Sequence, residues 1–106
     1  MKKLNGTEVV YLRPDNKACI DIVKLEELLK ASDKKTLVTL MHANNEVGNL
    51  LDIEKFAELC KKYNARLHSD TMQTMAHLDL DITKIKVDFA SCSAHKFHGP
   101  KGVGFA

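Results

Sequence analysis

Apolar positions along this chain change period in a regular way. Residues 8–12 form a short apolar-rich stretch before Pro14-Asp15-Asn16, which predicts a strand and then a turn. Asp21 precedes apolar residues at Ile22, Leu25, Leu28 and Leu29. That is helical spacing behind a capping residue, and it predicts a helix ending near Ala31-Ser32. Residues 36–41 are a continuous apolar run, suited to a strand covered on both faces. A polar loop, 42–49, follows. Asp52 then caps a second amphipathic helix with Ile53, Phe56, Ala57 and Cys60 on one side, and Lys61-Lys62 complement its dipole at the far end. Further strands are predicted at 65–69 and 87–93, and another begins at 102–106. This alternation predicts an α/β fold, a mainly parallel sheet flanked by helices.

Such sheets gather ligands outside the carboxyl ends of their strands. Three polar clusters fall there: His42-Ala43-Asn44-Asn45-Glu46, Asp70-Thr71-Met72-Gln73 and Ser93-Ala94-His95-Lys96. Lys96 stands at the mouth of an apolar strand, beside a serine and a histidine and ahead of several glycines. An amine partly desolvated in that position loses some preference for its charged form, and a neutral amine attacks carbonyls to give a Schiff base. The hydroxyl, imidazole and backbone N–H groups around it suit a phosphate. The other 13 lysines have no comparable setting.

Composition narrows the classes. The 106 residues suffice for one small core, and the net charge of +2 is too small to argue for nucleic acid or an anionic membrane. The pairs Lys2-Lys3, Lys34-Lys35 and Lys61-Lys62 are expected at turns and helix ends. No apolar run is long enough for a membrane span, and no h-region follows Met1-Lys2-Lys3, so the expected compartment is cytoplasmic. Cys19, Cys60 and Cys92 are odd in number and widely spaced, which favours free thiols, and all three are expected to be packing residues. No Cys-x-x-Cys exists, so no metal site is expected. The 99–104 glycines do not form a Walker loop, because the lysine and hydroxyl order is wrong.

Read together, the three loops resemble the class V family of pyridoxal-phosphate enzymes, and most closely its group I cysteine desulfurases. The resemblance rests on His42-Ala43-Asn44-Asn45-Glu46-Val47-Gly48, on His68-Ser69-Asp70-Thr71-Met72-Gln73, and on Ser93-Ala94-His95-Lys96-Phe97-His98-Gly99-Pro100-Lys101-Gly102-Val103-Gly104. It implies a fold type I large domain, of which residues 1–106 would be a central part, with pyridoxal 5'-phosphate as cofactor. Lys96 would form the Schiff base and then act as proton-transfer base. Asp70 would pair with the pyridinium nitrogen, Gln73 with the phenolate oxygen, and Ser93 and His95 with the phosphate. Asn45 would lie beside the cofactor and help hold the substrate carboxylate, while Asn44, Glu46 and Gly48 shape the loop.

The implied reaction converts L-cysteine to L-alanine and passes sulfur to an enzyme cysteine. The implied partners are a sulfur-acceptor protein, as in iron–sulfur cluster assembly, and a second copy in a homodimer. Related alternatives are a selenocysteine lyase, an aminotransferase, or a non-catalytic scaffold that keeps the motifs. The sequence departs from the family pattern at Thr71-Met72 and Met75-Ala76-His77, where relatives carry small residues. No cysteine follows Lys96. The persulfide loop, the histidine that stacks on the ring, the upstream phosphate loop and the downstream arginine are expected outside these residues. The isolated chain is therefore expected to be a fragment, inactive alone.

Overall fold

The two helices form where caps and spacing place them. In the computed structural model, which describes residues 2–78, 81 and 84–106 (side chains from residue 5 onward), α1 spans Ile22–Ala31. Asp21 caps it, its Oδ1 accepting from the amides of Val23 at 2.8 Å and Lys24 at 3.4 Å. Leu25 and Leu29, one turn apart, are its buried residues. Helix α2, Ile53–Lys62, is capped by Asp52 and buries Ile53, Phe56, Ala57, Leu59 and Cys60. Glu26 joins the helices: its Oε1 accepts from Lys62 Nζ at 2.8 Å and Tyr63 Oη at 2.7 Å. Those two hydrogen bonds hold its carboxyl at about 2, well below the ordinary carboxylate range.

Strands β3 (Leu37–Met41), β4 (Arg66–Asp70) and β5 (Phe89–Ser93) pair in parallel. The two-residue β6, Gly104–Phe105, adds antiparallel to β5, so the sheet runs β3-β4-β5-β6. In-register neighbours share a face: Val38 lies beside Leu67, and Ser69 beside Ala90. Val38, Leu40 and Leu67 meet the helices in one core with Leu25, Leu29 and Phe56. Asp88, just before β5, ties the start of β4 by accepting from Leu67 N at 2.8 Å and from Arg66 Nη1 at 2.5 Å. The sheet is thus mainly parallel and flanked by helices, as the alternation predicts.

Four expectations are corrected. The first strand is Thr7–Val9 (β2) rather than 8–12, and it pairs antiparallel with β1, Lys2–Leu4. Asn5 and Gly6, at φ 46° and 82°, make the two-residue turn between them. Both central residues of such a hairpin turn need positive φ, and Asn-Gly supplies them. Lys2-Lys3 consequently belong to a strand, not a turn. The run 36–41 is covered on one face only, with Leu37 60% exposed and its buried residues alternating along the strand. Its apolar continuity reflects two apolar faces, of which the helices cover one. Finally, Cys60 and Cys92 are buried but Cys19 is exposed, in a loop turned by Asp15. Burial pushes the Cys60 thiol up to about 11 and raises that of Cys92.

Candidate functional site

The carboxyl ends of β3, β4 and β5 each release a loop, and parallel pairing brings the three loops to one edge. Alternation puts Asp70 and Ser93 on the face the helices leave open, because Asp70 pairs with Ser91, two residues before Ser93. Asp70 is half-buried. One carboxylate oxygen accepts from Met72 N at 3.0 Å, and the other has no partner among the described residues. Its backbone carbonyl accepts from His42 N at 2.9 Å, carrying the sheet pairing past β3.

A short 3-10 turn, Ala94–Phe97, follows β5 and carries Lys96. Ser93 Oγ and His95 Nδ1 lie 2.7 Å apart, so the hydroxyl and imidazole form a ready-made pair at its mouth. Gly99 N donates to Ala94 O at 2.8 Å and Ala94 N to Val103 O at 2.9 Å, closing the turn on both sides. His98 leaves it at φ 66°. Lys96 itself is exposed, contrary to the expected partial desolvation, because nothing among the described residues covers this edge of the open face. Its ammonium has no ion-pair partner among them.

Gly99 is there for space. A Cβ at this position would stand 2.7 Å from Ala94 Cβ and 2.9 Å from Ala94 O, and Ala94 is buried. Neither contact can yield cheaply, since one is backbone and the other is packed. Gly99→Ala is therefore expected to cost about 1–3 kcal/mol in urea unfolding, the ordinary range for overpacking. An unchanged unfolding midpoint would show that the turn has room to spare.

Asn45 is exposed on the loop after β3, with its Nδ2 donating to Glu46 Oε1 at 3.1 Å rather than reaching another site residue. Asn44 shapes that loop as expected: its Oδ1 accepts from Glu46 N at 2.8 Å and Val47 N at 3.2 Å, and its carbonyl accepts from Gly48 N. Gly48 has φ 72°. Gln73 is half-buried in the turns that follow Asp70. The structure thus pairs Ser93 with His95 and puts Asp70 on the face of Ser93, while Asn45 and Gln73 stand on the segments that follow β3 and β4.

Three histidines outside the expected set also bear on this edge. Buried His42 has Nδ1 2.8 Å from Thr74 Oγ1, which braces the segment after Asp70, and burial lowers its pKa below the ordinary histidine value. His68 lies between Thr39 Oγ1 at 2.6 Å and Ser91 Oγ at 3.2 Å, spanning three strands one rung below Asp70. His77 Nε2 lies 2.6 Å from the Lys96 carbonyl. His42 and His68 stand inside the recurring motifs, the only sequence signal that marks them. Among the described residues no cluster of histidine, cysteine, aspartate or glutamate could hold a metal.

A mainly parallel α/β sheet whose strand ends bring together a lysine, a carboxylate and a Ser–His pair has the arrangement at which open α/β sheets bind ligands. The comparisons make this specific. The aminotransferase class-V family matches residues 1–106, and the chain belongs to that family. Cysteine desulfurase IscS of Vibrio vulnificus is 43% identical over 99 residues, covering 93% of this chain and 24% of that protein. The IscS of Histophilus somni is 40% identical over the same span. Among solved structures, SspA in complex with cysteine superposes with a TM-score of 0.85 at 33% identity, covering 93% of this chain and 28% of that one. A NifS-like protein from Rickettsia africae gives 0.77 at 41% identity, covering 80% and 24%. The chain therefore spans about a quarter of the length of the relatives it matches.

The family's pyridoxal phosphate fits the donor set. It presents an aldehyde, a basic ring nitrogen and a dianionic phosphate. The chain offers an unpaired primary amine, a half-buried carboxylate with one oxygen free, and a hydroxyl–imidazole pair.

Proposed function

We propose that this chain is the central part of the large, cofactor-binding domain of a pyridoxal-phosphate-dependent cysteine desulfurase. The observation that carries the reading is the convergence of Lys96, Asp70, Ser93 and His95 on one edge of the sheet. The cofactor, when bound, supplies an electron sink for negative charge at the substrate α-carbon. The residues of this chain would supply part of what remains. Asp70, through its free oxygen, would hold the ring nitrogen and favour its protonated form. Gln73 would hold the phenolate oxygen. Ser93 and His95 would hold the phosphate, with charge-assisted bonds stronger than neutral ones. Lys96 would anchor the cofactor through its aldehyde and would move a proton at the substrate α-carbon. Asn45, once its amide leaves Glu46, would hold the substrate carboxylate.

The substrate is L-cysteine and the organic product L-alanine, with sulfur leaving as a persulfide on an enzyme cysteine, expected downstream of Lys96. Cys60 and Cys92 do not serve, because burial disfavours their thiolates and the thiolate is the nucleophile. The full enzyme would be a cytoplasmic homodimer that hands sulfur to an acceptor protein. Among the described residues no helix is long and apolar enough to cross a membrane.

Borohydride reduction of the protein with pyridoxal phosphate, followed by peptide mass mapping, tests the assignment. The label is expected at Lys96, and a label spread evenly over the lysines would count against a formed site. This chain alone is expected to release no sulfide from cysteine beyond what free pyridoxal phosphate releases.

A further inference from the structure

The turn that bears Lys96 is tied to the segment that bears Asp70 and Gln73 by one side chain. His77 Nε2 stands 2.6 Å from the backbone oxygen of Lys96. A carbonyl oxygen only accepts, so Nε2 carries the proton and the tautomer is set by the contact. Both ends of the tie are anchored. On one side, His77 N donates to Thr74 O at 3.1 Å, and Thr74 is fully buried with its hydroxyl 2.8 Å from His42 Nδ1. Thr71, at the start of the same segment, donates through N at 2.9 Å and Oγ1 at 3.0 Å to Ser91 O of β5. On the other side, the Lys96 turn is closed by Gly99 N on Ala94 O.

The chain takes an uncommon backbone path to make this contact. Ala76, the residue before His77, sits at φ 63°, in the left-handed region that a residue with a Cβ rarely adopts. Such conformations persist where surrounding contacts over-determine them, and they cluster at ligand sites.

We propose that His77 is a positioning residue, fixing the turn of Lys96 against the Asp70–Gln73 segment by donating its Nε2–H to the Lys96 carbonyl. It touches neither the amine nor any reacting atom, and acts through the backbone that aims Lys96. The proposal rests on the cofactor reading above and extends it. With the bond made, the lysine and the pyridinium partner move as one unit. Without it, the carbonyl turns to water and the turn keeps only its own closure and β5.

The test compares the wild-type protein with His77→Ala and with His77→Gln, whose amide N–H reaches about as far as Nε2. Nitrogen-15 NMR of the wild type is expected to show the Nε2–H tautomer at His77. Amide exchange at Gly99 is expected to be about tenfold faster in His77→Ala, the factor that loss of one ordinary hydrogen bond gives, and to return in His77→Gln. The share of borohydride-trapped pyridoxal phosphate on Lys96 should fall several-fold in His77→Ala and recover in His77→Gln, with the thermal midpoint lowered in His77→Ala by no more than the several degrees that one hydrogen bond accounts for, and restored in His77→Gln. An Nδ1–H tautomer, or a His77→Ala protein with wild-type exchange at Gly99 and wild-type Lys96 share, would overturn the proposal. A wild type with no preference for Lys96 would instead overturn the cofactor reading, and the tautomer and the Gly99 exchange would still decide whether the tie exists.

Discussion

Leu67→Ala is expected to lose about 2–5 kcal/mol of unfolding free energy, the usual range for truncating a buried leucine. Leu67 is 1% exposed, on the inner face of β4, a strand paired on both sides. Val38 lies beside it in register, and α2 packs over β4. The cavity would open where strand pairing holds the backbone in place, so little collapse can offset it. A domain of this size has roughly 5–15 kcal/mol in total, so the loss is a large fraction of its stability. Equilibrium urea unfolding measures it, with Leu67→Met as the volume-conserving control, expected to cost less than about 1.5 kcal/mol. Equal midpoints for Leu67→Ala and wild type would mean that the core does not sit between β4 and the helices. The effect should reach the site as well, because β4 ends in Asp70.

The residues that made this core legible are those with local signals. Asp21 and Asp52 announce helix starts, and Leu25, Leu29, Phe56 and Cys60 recur at helical spacing, so both helices appear where the sequence predicts them. Strands β3, β4 and β5 were legible to within a residue or two, for the same reason. The hairpin at Asn5-Gly6 carried an equally local signal, which the short apolar stretch beside it outweighed. Other features depend on information that no local pattern holds. Leu37 and Phe89 are apolar and exposed, and only the packing tells which face of their strands the helices cover.

The site divides in the same way. Lys96, Asp70, Ser93 and His95 follow strand ends, and sheet topology alone brings strand ends together. The links among them join residues far apart in sequence: His42 to Thr74 across 32 positions, His68 to Thr39 across 29, His77 to Lys96 across 19. Such contacts are set by register and by the path of a loop. A histidine in the sequence has many fates, and these three became bracing groups only when the sheet aligned their partners.

Lys96→Ala is expected to abolish covalent trapping of pyridoxal phosphate at this site while leaving the fold intact. The two halves of that statement have separate grounds. Lys96 is exposed and its ammonium is unpaired among the described residues, so deleting it should change stability by no more than about 0.5 kcal/mol. The amine is also the one group of the site able to form a bond to an aldehyde carbon, so its loss admits no substitute. Lys96→Arg sharpens the point. It keeps the positive charge beside Ser93 and His95, but a guanidinium does not deprotonate in proteins and cannot serve as the nucleophile. Mass mapping after reduction should therefore find the label gone from this turn in both variants. Circular dichroism and the urea midpoint should match wild type. In a longer protein that holds the remaining residues of the enzyme, cysteine turnover should fall at least about 10²–10⁴-fold, the contribution typical of a positioned general base alone. If Lys96→Arg retained the label, the charge at this position would matter and the amine would not, and the reactive lysine would have to be sought elsewhere in the chain. Retention by Lys96→Ala would be still more direct, because no hydroxyl or imidazole left at this edge can make the same bond.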